Sequence, residues 1–180
     1  MARSVATALA LIASTNLALA CGKERWPVKT GTDGDASQIS MHHQSATIAQ
    51  LRKIKAPANP DSRRDTRFTP TEFRTFQISG KLVVIKKEAD QDYHLVIQDG
   101  RQKMIIESVD PKCAAGSIFL TQIRDVRQAI DGKLGPIAGK KRPNVMVTVT
   151  GVAFFDPIHG QEGVAPNGIE LHPILAIGFH

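Results

Sequence analysis

From Thr71 onward the chain shows runs of apolar residues at strand spacing, and before that point it does not. Phe73 to Lys87 is rich in strand-forming residues, with Ile78, Leu82, Val83, Val84 and Ile85, and Gly80 in its middle marks a bend or bulge. The acidic turn Glu88 to Gln91 leads into Asp92 to Gln98. There Tyr93, Leu95 and Ile97 fall on one face, and His94, Val96 and Gln98 on the other. Asp99-Gly100 is a hairpin-turn dipeptide, and Lys103 to Val109 is the returning strand. After Asp110-Pro111 the period becomes helical. Ser117 stands where it can cap a helix to about Leu134, with Phe119, Ile123, Val126 and Ile130 on one stripe and Gly132 and Gly135 at its stop. Val145 to Phe155 and Gly168 to Phe179 read as two further long strands.

Three strands, one helix and two strands predict a mainly β domain over residues 71–180. The expected form is a five-stranded OB-like Greek-key barrel with its helix between strands three and four, and an α+β sheet capped by one helix is the competitor. Residues 21–70 are rich in Gly, Thr, Asp, Ser, Asn and Pro and lack a sustained period of two. They read as an extended N-terminal arm with one short helix in Ser45 to Ile54, ended by Pro57, Pro60 and the DSRRD segment. Residues 1–20 have the layout of a signal peptide: Arg3, an apolar run from Val5 to Ala13, and Ala18-Leu19-Ala20 before Cys21. That run is too short to span a bilayer. Export, to the periplasm or beyond, is the expectation.

Cys21 and Cys113 are the two cysteines, and in an oxidising compartment an even count points to a disulfide. A cysteine directly after the cleavage site also raises a lipid anchor. Ala18 and Leu19 stand in the reverse of the usual lipoprotein order, so ordinary cleavage is preferred. The formal charge of +6 is spread over mild clusters at Arg52 to Lys55, Arg63-Arg64-Arg67, Lys86-Lys87 and Lys140 to Arg142. A polyanion is therefore an admissible partner, although dispersed clusters are first of all solvation. Nucleophile elbows and phosphate loops are absent, and outward aromatics for stacking bases are scarce.

The chemistry concentrates near the C-terminus, where Asp156, His159, Glu170 and His172 fall within 17 residues. Glu170 and His172, two apart, share the strand face opposite Ile169 and Leu171, so they are expected outside the barrel. His94 is outward by the same parity, and an outward Glu107 would neighbour it across the hairpin. Asp156 and His159 sit on the loop after the fourth strand, the expected roof of the binding face. These six residues form the candidate ligand-binding set. One chemistry is a divalent metal held by His94, His159, His172 and Asp156, activating water for hydrolysis of, for example, a phosphodiester. Neither D-x-x-H nor E-x-H is a recognised metal spacing, so a buried polar lock weighs more heavily.

The segments WPVKTGTD, DYHLVIQD and GVAPNGIELHP together resemble a family of small exported bacterial proteins without an established activity. Members also carry an arm helix and a cysteine after the third strand, as at Cys113. The resemblance implies export and an OB-like fold and is silent on chemistry. The leading expectation is thus an exported OB-like binding or interaction protein. A metal-assisted hydrolase and a structural or assembly protein acting through its arm are the alternatives.

Overall fold

A computed structural model describes residues 21–58 and 65–180; the expected signal peptide, Pro60 and most of the DSRRD segment lie outside them. The long strand β2 (Arg74–Lys87) is the spine of the molecule. Its second half pairs antiparallel with β3 (Tyr93–Asp99), and its first half pairs antiparallel with β5 (Val145–Phe155). The turn at Gly100 (φ 54°) brings back β4 (Gln102–Ser108) antiparallel to β3. Strand β6 (Ile169–Phe179) lies antiparallel to β5 and meets β4 in parallel at Ile106 and Leu171. Strands β2, β3, β4, β6 and β5 therefore close into a ring of pairings. The register irregularity of β2 falls between Leu82 and Val84, just beyond Gly80.

Pleat parity sorts the side chains as the apolar pattern predicts. Leu82, Tyr93, Leu95, Ile97, Met104, Ile106, Ile169 and Leu171 join one buried cluster with residues of β5. Helix α3 (Leu120–Leu134) carries Ile123, Val126 and Ile130 on its buried stripe and ends at Gly135, where φ is +70°. It begins three residues after Ser117. The Ser117 hydroxyl accepts the Phe119 amide and donates to the Thr30 carbonyl, so it ties a turn to the arm and caps no helix.

The segment before Thr71 contains more structure than its composition suggests. Besides α1 (Trp26–Thr30) and α2 (Ile48–Leu51), it supplies a sixth strand, β1 (Ser40–Ser45), parallel to β2. The five-strand expectation missed β1 because all six of its residues are exposed and most are polar, so there is no alternation to read. Helix α2 sits inside the Ser45 to Ile54 stretch, started by a reciprocal Thr47–Gln50 capping box, and it buries Ile48 and Leu51 in the main core.

Arg25 fixes α1. Its guanidinium is fully buried between the rings of Phe68 and Phe154, 4.7 and 4.5 Å from their centroids. It makes a two-pronged ion pair with Glu72 at 2.9 and 2.7 Å and donates to the carbonyls of Phe155 and Thr66. Glu72 also accepts the amides of Phe68 and Phe155, so both buried charges are well satisfied. Cys21 is disulfide-bonded to Cys113, 92 residues away. That bond occupies the sulfur a lipid thioether would need. Among the described residues, no helix is long and apolar enough to cross a membrane.

Candidate functional site

Helix α1 lies over the outer face of β6, and the 156–168 loop between β5 and β6 folds over β3. Between them is a cleft of about 470 Å³. Gly163, at φ +93°, seats the loop: a β-carbon there would stand 2.6 Å from Val96. Asn167 ties the other end of the loop to α2 by donating to the Leu51 and Ile54 carbonyls at 3.0 and 2.8 Å.

All six sequence-predicted residues meet at this place. His94, Glu107, Asp156 and His159 line the cleft, while Glu170 and His172 lie behind it. The parity argument for β6 holds, since Glu170 and His172 face away from the main core. They are nevertheless buried, not exposed outside the ring, because the arm covers that face. Only His159 reaches solvent freely, with its side chain 55% exposed.

His94 and Glu107 are direct cross-strand partners. His94 Nδ1 lies 2.9 Å from Glu107 Oε1, and Nε2 lies 3.0 Å from the Glu162 carbonyl oxygen. A carbonyl only accepts, so Nε2 must carry a proton. Glu107 is a carboxylate: burial alone would raise its pKa, but His94, His172 and Lys29 hold it below its ordinary value. Beside that carboxylate Nδ1 donates as well, which favours the imidazolium and pins the loop onto β3. Burial works against that charge, while Glu107 raises the His94 pKa. With both nitrogens occupied, His94 is not free to act as a base.

Two charged residues absent from the sequence-predicted set complete the site. Lys29, from α1, bonds Asp156 at 3.1 Å and lies 5.4 Å from the Phe154 ring centroid. Burial, the largest single influence on it, favours the neutral amine, yet the charges of Glu170, Asp156 and Glu107 outweigh this and raise its pKa. Asp156, opposed by burial but held by Lys29 and Gln161, titrates below its usual range. Asp92, just before β3, faces His172 Nε2 at 3.4 Å and is raised chiefly by burial.

His172 is the hub. Its Nδ1 is 3.3 Å from both Glu107 Oε2 and Glu170 Oε1, and its ring meets Phe154 edge-on. Burial would lower its pKa, but Asp92 and Glu170 raise it to about 10. Glu170 is pushed up to about 7 by burial and by the charges of Glu107 and Asp156. The buried charges thus balance one another, the physical content of a polar lock. Of the four residues first considered as metal ligands, His172 alone belongs to a buried group with ligand spacing, and its companions there are Asp92 and Glu107.

Neither signal for the missing residues was local. Asp92 is one of several acids in a turn, and Lys29 reaches the site only through the disposition of α1. Several residues of the basic clusters have carboxylate partners within the fold. Arg67 is buried against Asp33, Lys86 pairs with Glu88, and Lys140 and Arg142 face Glu162.

No family model and no curated protein matches the chain. Among solved structures it has a loose likeness, at 14% identity and a TM-score of 0.46, to a crystal structure assigned as an aspartyl-tRNA synthetase from Leishmania major Friedlin. The match covers 79% of this chain and 22% of that one, so this chain spans about a fifth of that protein's length.

Proposed function

We propose that the protein is an exported binding protein with an OB-like barrel, whose ligand enters the cleft between α1 and the 156–168 loop. The barrel reading is supported by the closed ring of five strands, with α3 inserted between β4 and β5. Export is supported by the Cys21–Cys113 disulfide, a bond characteristic of oxidising compartments.

One observation carries binding over catalysis: the ionisable groups at the cleft floor are already paired with each other. His94 is saturated, Lys29 is capped by Asp156, and His172 is walled in by carboxylates. The lining also indicates the class of ligand. Lys23, Lys29, Lys86 and His94 stand among five carboxylates, Glu24, Glu88, Asp90, Glu107 and Asp156, a near balance of the two signs that suits a small ligand bearing both charges. The volume is in the range of small-molecule sites.

Trp26, the sole tryptophan, borders the cleft and supplies the readout. Zwitterionic probes, amino acids and short peptides, are expected to change its fluorescence saturably, and Glu88→Lys to weaken that binding by about tenfold, roughly 1.4 kcal/mol. A single-stranded oligonucleotide that binds while every zwitterionic probe fails would overturn the reading.

A further inference from the structure

Behind the cleft, three buried side chains meet with an incomplete set of partners. Asp92 precedes β3, Glu107 lies in β4 and His172 in β6, and each is less than a tenth exposed. One potential ligand atom from each lies within 4.8 Å of the other two. Asp92 Oδ1 accepts the Asp110 amide at 2.8 Å, which fixes the carboxylate and leaves Oδ2 over. That oxygen and His172 Nε2 form a fully buried ion pair at 3.4 Å, and neither makes a hydrogen bond among the described residues. Buried polar atoms without a hydrogen bond are uncommon, because each forgoes the bonds it would make to water.

We propose that Asp92, Glu107 and His172 form a binding site for a divalent first-row cation, with Asp92 Oδ2 and His172 Nε2 as two of its ligand atoms and the Nε2 proton released to solvent as the ion takes its place. Two carboxylates offset the charge of the ion, and an imidazole beside carboxylate oxygens suits Zn²⁺ or Mn²⁺. The surroundings match what a metal site requires of its second layer. His172 Nδ1 faces Glu170, as in a carboxylate–histidine–metal relay, and His94 orients Glu107 from its other side. Glu107 alone of the three borders the cleft, so it is the point of entry for the ion. This site does not depend on the cleft taking a zwitterionic ligand, and its test uses the ion alone.

The experiment is calorimetric titration of chelator-stripped, disulfide-intact mature protein with Zn²⁺ and with Mn²⁺. One ion per chain is expected, with affinity reduced at least about tenfold in Asp92→Asn. A reduction of about 10–100-fold is expected in the relay variant Glu170→Gln. His159→Gln, altered at the exposed mouth, is expected to bind like wild type. Should Asp92→Asn not fold, ¹⁵N-histidine spectra of the wild-type protein carry the same decision, because the His172 ring signals are expected to move on adding Zn²⁺. The inference is overturned by folded wild-type protein that takes up no stoichiometric ion. It is equally overturned if uptake is lost in His159→Gln but kept in Asp92→Asn, or if His159 signals shift and His172 signals do not.

Discussion

Asp156 occupies a position whose ionisation the surrounding charges decide. Lys29 from α1 faces it, His159 and Gln161 bond it from its own loop, and His172 and Glu170 lie behind. Its pKa lies below the ordinary 3.8 in the folded protein, so it contributes stability that is fully present above that pH and is lost as pH falls through the folded value. Acid unfolding followed by circular dichroism is therefore expected to be less steep in Asp156→Asn, with the difference arising below about pH 4. An unchanged slope would place Lys29 elsewhere in solution. Arg25 poses the opposite case, a permanent charge at full burial. Arg25→Ala leaves Glu72 buried without its cation, and the expected loss is about 3–5 kcal/mol in urea unfolding. A loss below 1 kcal/mol would mean that the pair is not formed.

At the scale of elements, the strands and the hairpin were legible because one face of each is apolar and parity leaves little choice. That sufficed to bring His94, Glu107, Asp156, His159, Glu170 and His172 to one place. What parity cannot supply is the cover over the outer face. Helix α1 has only five residues, and its packing depends on Arg25 finding Glu72, 47 positions away. Strand β1 was illegible for a different reason, since an exposed polar edge carries no apolar signature. The roof loop was visible only as a Gly-rich stretch, yet its glycines have distinct duties. Gly163 combines positive φ with too little room for a β-carbon, which would stand 2.6 Å from Val96, so Gly163→Ala is strained both in backbone and in space. Its expected cost is roughly 1–3 kcal/mol, paired with faster amide exchange confined to residues 156–168. Gly160 also has positive φ but faces open space, so Gly160→Ala is expected to cost less. Equal costs would contradict the seating of the loop on β3.

For the molecule as a whole, the question is whether arm and ring unfold together. Several ties join them, among them the disulfide, the Arg25–Glu72 pair, the parallel pairing of β1 with β2, and the burial of Val28, Ile48 and Leu51. The disulfide closes a loop across 92 positions, worth roughly 4–5 kcal/mol in a chain-entropy description. The other ties are made by contacts native to the fold, and they remain when the sulfurs are gone. The Cys21→Ser, Cys113→Ser double variant is thus expected to be less stable by that amount yet to unfold in one transition. The check is to follow Trp26 fluorescence, which reports the arm, and far-ultraviolet circular dichroism, which reports the ring, in the same urea titration. Coincident midpoints in the variant mean that the cleft wall contributed by α1 lasts as long as the β-sheet behind it. A Trp26 transition at lower urea would make the arm a separable flap, and the cleft would then owe its shape to the disulfide alone.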